Sequence, residues 1–388
     1  MKNLNYRKLH TGRILSAILI SLMVLAALSS DIATAAEEIR IGFTAPITGA
    51  SAVGGALMSK AINLALKQIN AAGGVNGKKI NLIIVDFQST VPGALAAVQK
   101  AVEQEHVLAL VSFVQSPLVL ATSDAIKNYG IPAMIGGTQV SLTRQGNPWL
   151  FRVRPDDSIA ALAMVKYIDE DMKLRRIGIL YEDSSFGVGG ADLVEQVAKE
   201  RGMVIVGREK FTKGEVEFTA RLLSLKNAGA EVMVVYAGQD IEPGWIQRQY
   251  RQIGSPFKYL GSPSSQMKNT LDISKEAAEG LLAIADFVPG QSEVNKKYAE
   301  AYQKEYNEQF DATLAWVYDA LNILVEAIKT AGEDRAKIRE AILGMKGYQG
   351  VLGTFSFTPN GDGLHEVSVV EIEKGKPKLL KSVSVEMK

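Results

Sequence analysis

Apolar and polar positions alternate along this chain between a strand-like and a helix-like period. Short apolar runs at Ile39–Phe43 and Ile80–Phe87 are bounded by polar residues or glycine, as buried strands are. Between them, apolar residues recur on one side of Gly55–Ala71 with helical spacing, and Gly73-Gly74 then ends the pattern, as glycine does after helices. This apolar side comprises Leu57, Ala61, Ile62, Leu64, Ala65 and Ile69. The pattern predicts a strand, a helix and a second strand.

The same rhythm continues and then starts again. A helix over Pro92–Glu103 and strands over Val107–Val111 and Pro132–Ile135 complete a first set. A second set begins with a strand at Arg176–Tyr181 and alternates helices and strands over 190–201, 204–207, 218–228, 231–236, 244–253 and 259–260. This order predicts parallel sheets covered on both faces by helices. The stretches SAVGGALM and FGVGGADL open the first helix of each set. Their similarity is either a weak internal repeat or a coincidence in a chain rich in Gly and Ala.

Three segments rich in Pro, Gly and Asp could be crossings between the two sets. They are Pro155-Asp156-Asp157, Pro289–Ser292 and Thr358–Gly363. The helical pattern of 294–345 lies between the second and third segments and must dock on one of the two units. Two β-like runs, 366–373 and 378–384, follow the third segment.

The N-terminus has the layout of a secretory signal peptide over residues 1–36. An uncharged apolar stretch from Ile14 to Ser30 precedes the small residues of Ala33-Thr34-Ala35, so that cleavage would follow Ala35 or Ala36. A permanent signal anchor is the alternative, although the apolar span is short against the ~20 residues of a transmembrane helix. We expect a protein released into the periplasm. The positive region ahead of the apolar stretch comprises Lys2, Arg7, Lys8 and Arg13.

Composition excludes several functions. The chain has 388 residues, a formal net charge of +1 and no cysteine. The charge gives no basic footprint for nucleic acid, and the lack of cysteine excludes disulfides, thiolate chemistry and a lipid-modified cysteine. Of three histidines, one falls in the signal peptide, and His106 and His365 are expected at the surface, so a catalytic triad or histidine metal site has few candidates. We therefore predict no enzyme, no catalytic residue, no metal and no cofactor.

Several strand-end segments resemble one family. IRIGFTAPITGASAVGGALMSKAINLALKQINAAGGVNGKKINLIIVDF, SDAIKNYGIPAMIGGTQVSLT, FRVRPDD, RIGILYEDSSFG and AAEGLLA are similar, in this order, to periplasmic substrate-binding proteins of branched-chain amino-acid ABC transporters. The resemblance covers essentially the whole mature chain. It implies the type I periplasmic binding protein fold: an α/β protein of two Rossmann-like lobes, with parallel central sheets joined by three crossover segments. The N-terminal lobe would be 37–155 plus 287–363, and the C-terminal lobe 156–286 plus 364–388.

The resemblance also implies where a ligand carboxylate would bind in the first lobe. Family positions correspond to Ser116 for a hydroxyl contact, with Gln115 beside it, to Gly136 for a backbone contact, and to Thr138 for backbone and hydroxyl contacts. Physical chemistry agrees, because glycine allows close backbone approach and helix N-termini favour anions. Ser116-Pro117 is expected to open a helix, with Ser116 as the cap and Pro117 at the first position. A tight turn with a capping Thr138 is the plainer alternative.

The second lobe departs from the family pattern. The acidic residue that pairs with a ligand ammonium in branched-chain amino-acid binders corresponds to Pro263, and two aromatic positions correspond to Gln239 and Gly54. A further aromatic is retained as Phe186. Asp240 either replaces the missing acid or is an exposed loop carboxylate. The ligand-binding prediction includes all of these positions. Their departures favour a carboxylate without an α-ammonium, aromatic carboxylates included, because a buried unpaired ammonium is costly.

The predicted function is that of an extracytoplasmic solute-binding component of an ABC importer, which binds an amino acid or related carboxylate between two lobes by hinge closure. Its partners would be the small-molecule ligand and a membrane permease, and not nucleic acid. Two alternatives stay open at this point. One is a ligand sensor of the same fold, and the other is a secreted enzyme on an α/β scaffold.

Overall fold

The computed structural model describes residues 38–238, 241–310 and 314–385. The predicted signal peptide and the positions Gln239 and Asp240 lie outside the described residues. Within the described ranges, no helix combines the length and the hydropathy that crossing a membrane requires.

The first part of the chain forms a parallel sheet with helices between its strands. Its strand order is β2-β1-β3-β4-β5, and β1 pairs with β3 in the register Ile41 to Ala109. The elements are β1 (Glu38–Ala45), α1 (Ala52–Ala71), β2 (Lys79–Asp86), α2 (Val91–Gln99), β3 (Ala109–Val111), α3 (Ser116–Tyr129), β4 (Ala133–Ile135) and β5 (Leu150–Arg152).

The second part forms most of another parallel sheet. The elements are α4 (Asp157–Tyr167), β6 (Arg176–Glu182), α5 (Ser185–Glu200), β7 (Val204–Phe211), α6 (Thr219–Asn227), β8 (Val232–Tyr236), α7 (Glu242–Gln252), β9 (Lys258–Gly261), α8 (Lys268–Ser274) and β10 (Leu282–Ala285).

The chain then returns to the first lobe before it finishes in the second. Three helices and a small hairpin come first, and two antiparallel strands then extend the second sheet to the order β14-β13-β10-β9-β8-β6-β7. The elements are α9 (Glu293–Tyr306), α10 (Trp316–Ala331), α11 (Arg335–Gly344), β11 (Tyr348–Gln349), β12 (Thr354–Phe355), β13 (Glu366–Glu373) and β14 (Lys376–Ser384). Pro377 lies in the edge strand β14, where its missing N–H is tolerated.

The cores explain why these elements form. The predicted apolar side of α1 is buried against β1 and α10, except that Leu57 is only partly buried. Helix α10 buries Trp316 and Leu321 in the same cluster, which docks the predicted helical region of 294–345 on the first lobe. That region is divided into three helices because the chain turns through a left-handed Asn307 and a positive-φ Gly332.

Three crossings connect the lobes, and buried ion pairs join them to one another. The first crossing follows β5, the second follows β10 and the third precedes β13. Arg152 Nε lies 2.8 Å from Asp362 Oδ1, which links the first and third crossings. Arg154 Nε lies 2.5 Å from Asp286 Oδ2, which links the first and second. The side chains of both pairs are at most 7% exposed, so these charges neutralise one another away from water.

Candidate functional site

A cavity of about 300 Å³ is built by loops of both lobes. Every strand from β1 to β9 contributes at or just after its carboxyl end, which is where open α/β sheets bind ligands. Its volume lies at the small end of ligand pockets, which suits a small solute. The lining residues are Ser51, Ser89, Val114, Gln115, Ser116, Pro117, Leu118, Thr138, Arg154, Glu182, Asp183, Ser184, Phe186, Thr212, Lys213, Ala237, Gly238, Pro263 and Ser264.

The first-lobe wall is the N-terminus of α3 together with the loop after β4. Ser116 is 2% exposed, and its hydroxyl accepts the N–H of Gln139 at 3.2 Å. The structure places the cap one residue earlier than expected, at Gln115, whose side chain makes no capping hydrogen bond. Ser116 is instead the first helical residue, because its hydroxyl is engaged by the neighbouring loop. The positive end of the helix dipole therefore faces the cavity without a side-chain acceptor covering it.

Gly136 is held behind the first-lobe wall by close packing and by a hydrogen bond. A Cβ on this residue would lie 2.5 Å from Trp316 Cε2, so only glycine fits against that ring. The Gly136 carbonyl accepts a hydrogen bond from Arg154 Nη1 at 3.1 Å. Arg154 itself lines the cavity and is 3% exposed. The backbone of Gly136, for which the resemblance implies a contact with the ligand, is thus already engaged through its carbonyl by a cation of the protein.

The second-lobe wall contains a tilted pair of aromatic rings, a turn that begins with proline, and an acidic side chain. The rings of Phe186 and Tyr236 lie 5.4 Å apart between centroids. Pro263 opens a short 3₁₀ turn, and the neighbouring Ser264 hydroxyl donates to the Ala237 carbonyl at 2.7 Å. Glu182, at the end of β6, supplies a carboxylate that is 7% exposed.

The structure brings five of the nine predicted site residues to the cavity. Two others do not line it. Gly136 lies behind the wall. Gly54 lies within α1, where a Cβ added to it would be 3.9 Å from Leu314 Cδ1. Gln239 and Asp240 fall outside the described residues. The five lining residues are Gln115, Ser116, Thr138, Phe186 and Pro263.

The four charged residues that line the cavity were not among the predicted positions, and neither was Asp157 beside it. The four are Arg154, Glu182, Asp183 and Lys213. Asp157 begins α4 and is 2% exposed, and its Oδ2 accepts no hydrogen bond. Burial raises the pKa of Asp157 to about 7, against the opposing effects of Arg152 and the Thr138 side chain. Burial likewise raises the pKa of Tyr236 well above 10, and the nearby Asp157 adds to the effect. For Arg154, Glu182 and Asp157, the only available signal was their position at the end of a predicted strand or in a predicted crossing.

Two α/β lobes that line one cavity from the carboxyl ends of their strands define a two-lobed solute-binding protein. A sequence profile of the periplasmic binding protein family matches residues 38–377. The chain belongs to this family, whose members are substrate-binding proteins of transporters and not enzymes. The predicted family, fold and function as a substrate-binding protein are confirmed at this level.

Individual relatives agree. The chain is 27% identical over 330 residues to the leucine-, isoleucine-, valine-, threonine- and alanine-binding protein of Pseudomonas aeruginosa, covering 84% of this chain and 88% of the relative. It is similar in structure to the branched-chain amino acid transporter substrate-binding protein of Streptococcus pneumoniae in complex with isoleucine, with a TM-score of 0.82, 27% identity, and coverage of 90% and 99%. A type 1 periplasmic binding protein of Bordetella pertussis gives a TM-score of 0.80 at 25% identity, with coverage of 89% and 100%.

Proposed function

We propose that this protein is the solute-binding component of an ABC importer and that it binds an amino acid or a related carboxylate in the cavity. The observation that carries the proposal is the lining of one cavity by the carboxyl ends of strands from both sheets. A ligand that contacts both walls stabilises the form in which the lobes are closed on it. The closed protein would then dock on a membrane permease.

The ligand carboxylate is assigned to the first-lobe wall. Ser116 and Thr138 line the cavity together with the uncovered N-terminus of α3, where backbone amides and the helix dipole favour an anion. We also propose that residues 1–36 direct the chain to the periplasm as a cleaved signal peptide. The proposed lobe boundaries remain 37–155 plus 287–363 and 156–286 plus 364–388, in agreement with the positions at which the chain changes sheets.

A second candidate ligand class is a carboxylate that lacks an α-ammonium. Two observations favour it. Pro263 occupies the position at which the related amino-acid binders have an acid, and the Arg154 guanidinium occupies the Gly136 carbonyl at 3.1 Å. Because that carbonyl already accepts a hydrogen bond from Arg154, it has less capacity to accept one from a ligand ammonium.

The test is a thermal-shift and calorimetric screen of the purified protein against leucine, isoleucine, valine, 4-methylpentanoate, phenylacetate and benzoate. A ligand that binds the folded form raises the melting temperature by mass action. Ser116→Ala should weaken binding of each active carboxylate about tenfold, because a hydrogen bond to a charged group is lost. Ser185→Ala is the matched control, since its hydroxyl is buried outside the cavity and makes no hydrogen bond. Equal affinities for wild type and Ser116→Ala would contradict the assigned carboxylate site.

Transport is separated from sensing by uptake. Cells that lack this protein should lose import of the ligand identified in the screen, and the gene should restore it. Unchanged uptake, with a lost transcriptional response to the ligand, would favour the sensor.

A further inference from the structure

The carboxylate of Glu182 is the least compensated charge among the described residues that line the cavity. It is 7% exposed, and its Oε2 accepts the N–H of Gly238 at 2.8 Å. No lysine, arginine or histidine of the described residues lies within ion-pair distance of it. An ionised carboxylate can accept about four hydrogen bonds, so most of its capacity is unused.

Asp183 and Asp286, two other acids near the cavity, differ from Glu182 in this respect. Asp183 also lines the cavity, but Lys210 Nζ lies 3.0 Å from its Oδ2. Asp286 is paired with Arg154. A buried charge with a single hydrogen bond is costly to the fold unless a further partner arrives.

The residues around Glu182 leave its carboxylate free to accept further hydrogen bonds. A Cβ at Gly238 would lie 2.4 Å from Glu182 Oε2, so glycine allows the carboxylate to sit against the loop after β8. Across the cavity, Gln115 Oε1 is buried and accepts no hydrogen bond. Glu182, which accepts a single hydrogen bond, and Gln115 therefore line the same small cavity with unused acceptor capacity, one on each lobe. Both would be satisfied by hydrogen-bond donors that a ligand supplies.

We infer that Glu182 is a specificity-determining residue that recognises a hydrogen-bond donor, an ammonium or a hydroxyl, on the bound carboxylate. The inference rests on the proposed function, which places the ligand carboxylate at Ser116 and Thr138 on the first lobe. Because Glu182 belongs to the second lobe, a ligand with both groups bridges the two lobes. A ligand without the donor reaches only the first-lobe wall with polar contacts and leaves the carboxylate of Glu182 desolvated.

Two pairs of ligands, in each of which the members differ only in a hydrogen-bond donor, show which chemical group of the ligand supplies that donor. Leucine and 4-methylpentanoate differ in the α-ammonium, and 4-hydroxyphenylacetate and phenylacetate differ in a hydroxyl remote from the carboxylate. In calorimetric titration of the wild-type protein, we expect the donor-bearing member of one pair to bind at least about tenfold more tightly, as charge-assisted hydrogen bonds do. The pair that shows the preference identifies the donor.

The Glu182→Gln variant then tests the residue itself. Its amide oxygen can still accept the Gly238 N–H, while its NH₂ group presents a donor to the ligand, so the preference should fall below about threefold. Glu182→Asp keeps the charge and should keep the preference for the donor-bearing ligand. This second variant keeps the inference testable if Glu182→Gln does not fold. Glu195→Gln is the matched control, because that carboxylate lies in α5 of the same lobe, is not part of the cavity lining and is already paired with Lys199 and Arg208, so the preference should stay unchanged.

The outcomes separate this inference from the proposed function. Binding of carboxylates without any preference for the donor-bearing member, or a preference that persists in Glu182→Gln, would overturn the role of Glu182 and leave the proposed function standing. Failure of every carboxylate to bind would overturn both.

Discussion

The ion pair between Arg154 and Asp286 joins two of the crossings beside the cavity, and its removal should be costly. The Arg154 side chain is 4% exposed and that of Asp286 is 2% exposed. In Arg154→Met, Asp286 keeps a buried charge without its cation, and the Gly136 carbonyl loses its Nη1 donor. Breaking a buried pair by removal of one partner costs about 3–5 kcal/mol. We expect the free energy of unfolding of Arg154→Met to fall by that amount.

Replacement of both partners should recover most of the loss. Arg154→Met/Asp286→Asn contains no unpaired charge, so its free energy of unfolding should lie within about 2 kcal/mol of wild type. The assay is urea unfolding, followed by tryptophan fluorescence and circular dichroism. Lys67→Met is the exposed control: Lys67 pairs with Glu305 at side-chain exposures of 64% and 35%, and such pairs contribute no more than about 1 kcal/mol. A cost for Arg154→Met as small as that of Lys67→Met, or a double variant as unstable as the single one, would refute the reasoning.

Three further predictions concern packing and pH. Gly190→Ala should lower the free energy of unfolding by about 1–3 kcal/mol or more, because the new Cβ would lie 2.1 Å from Cε1 of the fully buried Tyr236. An unchanged free energy of unfolding in urea would contradict this geometry. Gly54→Ala meets no atom closer than 3.9 Å and should stabilise α1 by about 0.5–1 kcal/mol in the same assay, so a loss of stability would show that the site is more crowded. Burial raises the pKa of Asp319 to about 7, so the folded state keeps a proton that the unfolded chain releases between about pH 4 and pH 7. Stability should therefore fall as pH rises through this window, on the order of 4 kcal/mol, and Asp319→Asn should flatten the profile; identical pH profiles would exclude a contribution from Asp319.

Much of the α/β framework could be predicted because its elements bury one face each. The apolar side of α1 is spaced for a helix, and β6 and β8 contain continuous apolar runs, so the local pattern carries the information. The short strands β5 and β10 could not be predicted in this way. They contain only three and four residues, but β3 and β4 are equally short and were predicted, so length alone is not the reason. β5 and β10 form because their neighbours β4 and β9 supply hydrogen bonds that no local pattern reveals.

Strand β7 shows a different limit. The pattern ends at Gly207, but the strand continues to Phe211 through Arg208, Glu209 and Lys210. β7 pairs only with β6, at the edge of the sheet. Charged side chains that face solvent on an edge strand hide the apolar signal while they protect the edge from unwanted pairing.

The chemistry of the cavity depends on distances between segments that are remote in sequence. Ser116 and Thr138 could be proposed because a glycine-rich strand end and a helix start are local signals. Arg154 could not, because its partners Gly136 and Asp286 lie 18 and 132 residues away. The same holds for Glu182, which is singled out because no cation of the described residues lies within ion-pair distance of its carboxylate. The lost acid at Pro263 therefore does not show that the site lacks one: an uncompensated carboxylate lies on the same lobe, and the ligand that satisfies it must carry a donor.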